Sequence, residues 1–239
     1  MNGMRRIRTF VSGLDELLEG GVPGGSIVMI SGAPGTMKTS LAFNILHQNA
    51  VRGIRGLYIS LEQRRESLLD QAGGLGLRVE DTKGNLSVLD LAALRKKLGG
   101  EKDQPWLDLL KLYAQGIKTS FGFRLLVLDS LDALEILARF GDVRRELFDL
   151  IKWLRGLECT TLLLTELPTT LSPTAPPNAF AKHKEEYLAD GIIHLRLAKQ
   201  GEFGVQRQLR VAKMRGTRHD TSYHALIFED GFKLTQVLG

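Results

Sequence analysis

Nine consecutive residues have the types and the spacing that phosphate binding requires. In order they are Gly32, Ala33, Pro34, Gly35, Thr36, Met37, Lys38, Thr39 and Ser40. They follow a short apolar run and open a segment with helical spacing, so backbone N–H groups and a helix N-terminus would face an anion. Lys38 would add positive charge beside the outer phosphates, and the Thr39 hydroxyl would bind Mg²⁺. We therefore predict a phosphate-binding loop at residues 32–40.

The loop departs from the usual pattern G-x-x-x-x-G-K-[ST] at one position, because Met37 stands where the second glycine belongs. Glycine allows the backbone to approach a phosphate closely, so its replacement needs an explanation. We expect Met37 to lie in the first helical turn with an ordinary negative φ. Its N–H would then still point at phosphate while its thioether turns outward.

Two acidic residues end other apolar runs of the sequence. Asp129 closes a buried run, and its carboxylate would hold Mg²⁺ through water beside the Thr39 hydroxyl. The alternative for Asp129 is a helix cap formed together with Ser130. Glu62 follows another run and would orient or deprotonate the water that attacks the γ-phosphate. The alternative for Glu62 is a surface carboxylate at a strand end.

The elements that must carry these residues alternate between strands and helices. We predict strands at residues 26–31, 56–61, 85–91, 123–130 and 160–164, and helices at 41–52, 64–73, 92–122 and 143–157. This alternation indicates a twisted, mainly parallel sheet covered on both faces, with ligands beyond the carboxyl ends of its strands. The strand that ends at Glu62 is expected beside the loop strand. Thr165 and Glu166 would lie at the same edge.

The chain is expected to form one α/β domain over residues 1–239. It would comprise a lead-in at 1–25, a core at 26–167, a mobile Pro-rich loop at 168–182 and a β-rich part at 183–239. Period-two patterns at 191–197, 205–213 and 223–234 predict antiparallel C-terminal strands. The loop contains four of the seven prolines, which excludes a regular helix or strand there.

Composition restricts the class of protein. The 239 residues are 43% hydrophobic and 25% charged, as in a globular domain. No run approaches a membrane span and no signal-peptide core is evident, so we expect a cytoplasmic protein without a membrane partner. Cys159, the single cysteine, excludes an internal disulfide and is expected in the core. The net charge of +5 is compatible with polyphosphate or nucleic acid and indicates neither.

Six segments together resemble a known family. In order they are GGVPGGSIVMISGAPGTMKTSLA, LYISLEQ, RLLVLDSL, LLLTELP, LADGIIHLRL and RVAKMRGTRHD. They are similar to the motifs of the KaiC-like branch of the RecA-superfamily ATPases, which includes single-domain KaiC-like and RadA-related proteins. The resemblance implies a RecA-like P-loop NTPase core, ATP and Mg²⁺ as cofactors, and ATP hydrolysis.

The resemblance also implies roles for individual residues. Lys38 and Thr39 would be the loop lysine and the Mg²⁺ ligand, and Asp129 the second acid on the metal side. Glu62 would be the first of the family's two paired catalytic glutamates. Gln63 takes the second place, so a single carboxylate remains there.

Two further pairs match motifs that respond to the nucleotide. Thr165 and Glu166 match the polar pair that senses nucleotide state beside the γ-phosphate. Lys213 and Arg215 match the K-x-R motif that reaches into the neighbouring subunit's site. Their alternation on a strand would direct both side chains to one face, although a solvated cationic edge strand is the alternative. If Lys213 and Arg215 reach a neighbour's nucleotide as an arginine finger does, the protein would be a homo-oligomer. It would form a hexameric ring or a filament, with ATP between subunits.

Three other activities remain open on sequence grounds. An ATP-dependent, recombination-type DNA-binding protein would use the loop at 168–182, but one lysine, no arginine and one phenylalanine are few groups for DNA contacts. Autophosphorylation would use hydroxyls in the same loop, which are Thr169, Thr170, Ser172 and Thr174. A nucleotide-sensing switch with little turnover is favoured by Met37 and Gln63.

Overall fold

The computed structural model describes residues 6–97, 105–167, 187–200, 202 and 204–237. The described residues form a nine-stranded sheet covered by helices, and a two-stranded ribbon at the start of the chain. The strands are β1 (Arg6–Ile7), β2 (Val22–Pro23), β3 (Ile27–Gly32), β4 (Gly56–Ser60), β5 (Leu86–Asp90), β6 (Leu125–Asp129), β7 (Thr160–Glu166), β8 (Gly191–Gln200), β9 (Gly204–Met214), β10 (His224–Phe228) and β11 (Phe232–Gln236). The helices are α1 (Leu14–Leu17), α2 (Lys38–Val51), α3 (Arg65–Gly74), α4 (Leu91–Lys97), α5 (Trp106–Phe121), α6 (Leu131–Ala138) and α7 (Val143–Gly156).

The order of strands across the large sheet is β11-β10-β9-β8-β3-β7-β6-β4-β5. The pairs from β8 through β3, β7, β6 and β4 to β5 are parallel, and β8, β9, β10 and β11 pair antiparallel. The mainly parallel sheet with an antiparallel C-terminal extension, predicted from the alternating pattern, is therefore confirmed.

The sequence prediction was wrong about the neighbours of the loop strand. β3 pairs with β7 and β8, so two strands separate it from β4, the strand that leads to Glu62. Apolar runs identify strands but carry little information on their order, because every central strand is equally buried. The helix predicted at 92–122 is also divided in the described residues into α4 and α5.

The core lies on both faces of the sheet, and this explains the continuous apolar runs. β3, β4 and β6 are buried along their whole length, as expected for parallel strands covered on two sides. One cluster joins α2 and α3 to the sheet around Phe43 and Tyr58. The other joins α5, α6 and α7 around Phe123 and includes Cys159, whose predicted burial is confirmed.

Several predictions concern residues outside the described ranges. The Pro-rich loop at 168–182, with its candidate phosphate acceptors, is among them. The division of the chain at residues 25, 167 and 182 stays a prediction. Within the described ranges, none of the helices combines the length and the apolar composition that a membrane crossing requires.

Candidate functional site

A cavity of about 480 Å³ opens where β3, β4 and β6 end. The loop after β3 and the start of α2 form one side of it, and residues at or just after the ends of β4, β6 and β7 form the other, as expected for a ligand site at the carboxyl edge of a parallel sheet. α3 and β9 also contribute residues to the wall. The lining residues are Pro34, Gly35, Met37, Lys38, Thr39, Ser40, Glu62, Gln71, Leu75, Asp129, Ser130, Glu166 and Arg207.

The shape of the loop depends on close backbone contacts. A Cβ at Gly32 would lie 2.5 Å from the carbonyl oxygen of Leu195 on β8, so a larger residue does not fit there. Gly35 has a φ of 80°, a left-handed conformation that glycine adopts without strain. The buried Thr36 hydroxyl donates to the Ala33 carbonyl at 2.7 Å and closes the turn.

Met37 adopts φ 72° and ψ 28°, which is a left-handed conformation at the N-cap of α2. The expectation of an ordinary negative φ inside the first helical turn is therefore wrong. The turn that directs the loop into α2 needs a left-handed residue whatever the side chain, and Met37 accepts the steric strain of its Cβ. Its half-buried side chain packs against the core cluster that contains Phe43, which compensates part of that strain.

Lys38 lies under the loop and is almost fully buried. Its Nζ donates to the carbonyl oxygens of Gly32 at 2.8 Å and Ala33 at 3.1 Å, and lies 3.7 Å from a carboxylate oxygen of Glu166. These contacts fix an ammonium group at the cavity wall. A fixed charge beside a helix N-terminus attracts anions.

Thr39 and Asp129 meet although they are far apart in the chain. The Thr39 hydroxyl donates to Oδ2 of Asp129 at 3.0 Å, and the Tyr58 hydroxyl donates to the same oxygen at 2.5 Å. Burial raises the pKa of the Asp129 carboxyl, and the two hydrogen bonds oppose that rise. Burial also raises the pKa of Tyr58 well above its ordinary value, so Tyr58 remains a hydroxyl donor.

These groups suit a magnesium ion. A hydroxyl and a carboxylate are hard oxygen ligands, and Mg²⁺ commonly takes one or two protein ligands together with water and phosphate oxygens. In the described ranges no group of three or more His, Cys, Asp or Glu residues is arranged for a metal. Thr39 and Asp129 supply two oxygen ligands of this kind, which fits a metal that is shared with a bound phosphate.

Glu62 is exposed on the cavity wall and is oriented by Ser130. The Ser130 hydroxyl donates to Oε1 of Glu62 and accepts the N–H of Ala133, which makes Ser130 the N-cap of α6. The alternative of a helix cap formed by Asp129 together with Ser130 therefore applies to Ser130 only. The Asp129 carboxylate contacts Thr39 instead. Gln63 does not line the cavity itself, and its side-chain amide donates to Ser67 and to Gln71 of the cavity wall.

Thr165 and Glu166, the last two residues of β7, lie in different surroundings. Glu166 lines the cavity, and its N–H donates to Asp132 of α6 at 2.6 Å. Thr165 is buried in β7 opposite Ser31 of β3 and does not line the cavity. Only Glu166 is therefore placed to contact a ligand directly.

Sequence reasoning missed Arg207, Gln71 and Leu75 in the cavity wall. Arg207 belongs to β9, and its Nε donates to the Gly35 carbonyl at 3.1 Å. It reaches the loop because β9 pairs with β8 and β8 with β3. No local pattern signals such a contact across 172 positions. Ser130 could have been found, since it directly follows Asp129.

Lys213 and Arg215 lie at the opposite edge of the sheet from the cavity. Lys213 donates to the Ala189 carbonyl at 2.8 Å, and Arg215 forms an ion pair with Asp190 at 3.0 Å. Asp190 precedes β8 and accepts the N–H of Ile27, the first residue of β3. The two cations therefore contact neighbouring residues, Ala189 and Asp190, and lie away from their own loop; strand alternation does not group them, because β9 ends at Met214, before Arg215.

Asp190 joins several elements at this edge. It forms two hydrogen bonds with Arg155 of α7, at 3.0 and 3.1 Å, besides its bond with Arg215. Although burial raises the pKa of Asp190, the bonds from Arg155, Ile27 and Arg215 outweigh burial and lower the pKa below its ordinary value. The carboxylate is charged and holds both guanidinium groups in place.

Comparison with known proteins finds one protein family that matches almost the entire chain. The family model described as ATPase: KaiC matches residues 7–236. The chain is 29% identical to a UPF0273 protein of Thermotoga maritima, covering 95% of this chain and 94% of the relative. It is 28% identical to a UPF0273 protein of Pyrobaculum aerophilum, covering 95% and 80%.

A clock protein and a solved structure are also similar. The circadian clock oscillator protein KaiC of Picosynechococcus is 29% identical over 98% of this chain, which spans 45% of that relative. The crystal structure of a KaiC-like protein from Pyrococcus horikoshii matches with a TM-score of 0.78 and 26% identity, covering 97% of this chain and 99% of that one. The family match extends over almost the entire length, and the fold agrees with that of a KaiC-like protein. The chain therefore belongs to the KaiC family of nucleotide-binding RecA-superfamily ATPases.

Proposed function

We propose that the chain binds Mg·ATP in the cavity at the loop and hydrolyses it, with the site completed by a neighbouring subunit. The observation that carries the proposal is the convergence of Lys38, Thr39, Asp129 and Glu62 on one cavity of about 480 Å³. Three separate parts of the chain, which are the start of α2, the end of β6 and the segment after β4, supply a cation, a hydroxyl and two carboxylates. This inventory suits phosphoryl transfer, which depends on positioning and on charge stabilisation.

In the proposed mechanism each residue has one task. The loop N–H groups and Lys38 bind the phosphates, and Thr39 and Asp129 hold Mg²⁺. When bound, Mg²⁺ neutralises charge that develops on the phosphate oxygens. Glu62 accepts the proton of the attacking water, and Ser130 fixes one oxygen of Glu62 so that the other stays available for that water.

The shared site is supported by the position of the two cations. Asp190, which binds Arg215, contacts Ile27 at the start of β3, whereas the loop begins at Gly32. Five residues of strand span about 16 Å, which is beyond the reach of a lysine or arginine side chain. Lys213 and Arg215 would therefore serve the nucleotide of another subunit. Head-to-tail contacts of this kind produce a closed ring or a filament, and a hexamer is one such ring.

Nucleotide binding is tested by isothermal titration with ATP and with a non-hydrolysable analogue, in the presence and absence of Mg²⁺. We expect Lys38→Ala to weaken binding at least tenfold, because a charge-assisted phosphate contact is lost. Lys152→Ala is the matched control, since Lys152 is exposed on α7 and outside the cavity wall. Absence of Mg²⁺-dependent heat in the wild type would refute the proposed binding.

A switch with little turnover is the second candidate, because Gln63 replaces one of two carboxylates and does not line the cavity. Phosphate release separates the two candidates. An ATPase loses most turnover in Glu62→Gln, whereas a switch has the same low rate in both proteins. Glu66→Gln is the control, since Glu66 is exposed at the start of α3 outside the cavity wall.

The shared site is tested by mixing two inactive variants. Lys38→Ala disables the loop, and Lys213→Ala combined with Arg215→Ala disables the cations. In a random equal mixture, about a quarter of the sites combine an intact loop with intact cations from the neighbour. Recovery of a comparable fraction of turnover supports the shared site, and no recovery in mixed assemblies refutes it. Sizing with and without the analogue establishes that the assemblies mix.

DNA binding and autophosphorylation have less support. Both depend on residues 168–182, which lie outside the described ranges, and the cavity itself favours neither. A salt-dependent shift of single-stranded DNA, lost when Lys182 and Lys184 are neutralised, would support the first. A mass increase after incubation with ATP would support the second.

A further inference from the structure

The side chain of Tyr58 connects the core to the metal side of the cavity. Tyr58 lies on β4 and is fully buried, and its ring packs on Phe43 of α2 with centroids 5.7 Å apart. Across the parallel pair it faces Val127 of β6, two residues before Asp129. Residues two apart on a strand share a face, so Tyr58 and Asp129 lie on the same side of the sheet.

The hydroxyl of Tyr58 fixes one oxygen of the Asp129 carboxylate, and that oxygen accepts two hydrogen bonds. It donates to Oδ2 of Asp129 at 2.5 Å, and Thr39 donates to the same oxygen at 3.0 Å. A buried phenol hydroxyl needs a partner, because its removal from water is otherwise unfavourable. The packing on Phe43 leaves the ring little freedom, so the direction of this hydrogen bond is set by the core.

We propose that Tyr58 is a positioning residue for the Asp129 carboxylate in Mg·ATP binding, an inference that rests on the proposed function. In phosphate-binding loops the hydroxyl at the position of Thr39 binds Mg²⁺. When the Thr39 hydroxyl binds the metal, Tyr58 is the one of these two donors that still holds Asp129. Tyr58 does not line the cavity, so it acts through its hydrogen bond to Asp129 and touches no bound ligand. Residues that orient metal ligands in this way change metal affinity or activity by about 10- to 100-fold when they are removed.

Tyr58→Phe tests the inference, since it removes one oxygen and retains the ring on Phe43. Binding of a non-hydrolysable ATP analogue is measured by titration calorimetry in EDTA and at a series of Mg²⁺ concentrations. Without Mg²⁺ we expect the affinity to stay within about twofold of wild type. The Mg²⁺ concentration that gives half of the affinity gain is expected to rise by about tenfold or more. An unchanged Mg²⁺ midpoint overturns the inference.

Two control variants and a comparison with and without Mg²⁺ separate the possible explanations. Tyr113→Phe, at a half-buried position on α5 outside the cavity wall, is expected to match wild type. If Tyr58→Phe weakens binding equally with and without Mg²⁺, its role is structural and the inference is overturned. Asp129→Asn removes the ligand charge. If that variant keeps the wild-type Mg²⁺ dependence, the proposed metal site is wrong. If it loses the dependence while Tyr58→Phe keeps it, only the positioning role is wrong.

Discussion

The left-handed backbone at Met37 predicts an unusual order of stability between two variants. With φ at 72°, a residue that has a Cβ is strained by roughly 1–2 kcal/mol relative to glycine. Glycine also has greater freedom in the unfolded chain, which destabilises a glycine variant by about 0.4–1 kcal/mol. The difference makes Met37→Gly more stable than Met37→Ala by about 0.5–1 kcal/mol. At a position with ordinary helical φ the order is reversed.

The methionine side chain contributes separately, and the comparison of the two variants removes that contribution. Met37 is half-buried against the core cluster around Phe43. Full burial of a methionine is worth about 1.5–3 kcal/mol, so the loss of a half-buried one costs about 1 kcal/mol. Met37→Ala is therefore expected about 1 kcal/mol below wild type, and Met37→Gly close to wild type.

Thermal unfolding followed by circular dichroism measures the difference. For a chain of this size, 1 kcal/mol shifts the melting temperature by about 2–4 °C, so the glycine variant should melt roughly 1–4 °C above the alanine variant. Lys152 on α7 is the control, where alanine should exceed glycine by about 1 kcal/mol. If alanine is the more stable residue at both positions, Met37 does not have a left-handed backbone.

Three further predictions concern Ser130, Cys159 and His194. Ser130→Asp keeps an N-cap for α6 but replaces the hydroxyl donor to Glu62 by a carboxylate, so phosphate release should fall about tenfold or more while helix content is retained. Burial raises the pKa of the Cys159 thiol, so a thiol reagent should react slowly with the folded protein even near pH 9, and rapidly in urea. Burial, together with two nearby arginines, lowers the pKa of His194 to about 4. Between that value and about 6.5 the unfolded chain binds more protons, so the free energy of unfolding should decrease as pH falls through this window, by up to about 3 kcal/mol, in urea titrations.

Each of these predictions has an outcome that contradicts it. Wild-type turnover in Ser130→Asp would mean that Glu62 does not need the hydroxyl. Fast labelling of Cys159 without denaturant would show that the thiol is accessible. For His194 the comparison is with His194→Gln, which cannot titrate. If the two proteins lose stability equally between pH 6.5 and 4, other groups cause the loss.

The elements of the core could be predicted from the sequence because each has a strong local pattern. The apolar run that ends at Asp129 became β6, and the run before Gly32 became β3. α6 was missed, because it follows β6 after a single residue, Ser130, with no loop to signal a new element. Strand order was also not predictable, since burial on both faces gives central strands similar compositions.

The residues of the candidate site also fall into two groups, those that a local sequence pattern locates and those that only the tertiary structure brings to the site. Lys38, Thr39, Asp129 and Glu62 were predictable, because each directly follows or ends a patterned segment. Arg207 was not, since its contact with the loop requires the register of two strand pairs. The conformation of Met37 was predicted wrongly, because side-chain preference suggested an ordinary helical residue, whereas the entry into α2 imposes a left-handed one.

β3 connects the phosphate-binding loop of a subunit to the cations that the same subunit would offer to its neighbour in the proposed assembly. Its first residue, Ile27, donates its N–H to Asp190 at 3.0 Å, and its last residue, Gly32, begins the loop. Asp190 also binds Arg215, so loop and cation are attached to opposite ends of one strand, about 16 Å apart. That strand is buried along its length and paired on both sides, so its ends do not move independently. In a ring with shared sites, the orientation of successive subunits would therefore decide whether Arg215 reaches the neighbouring nucleotide.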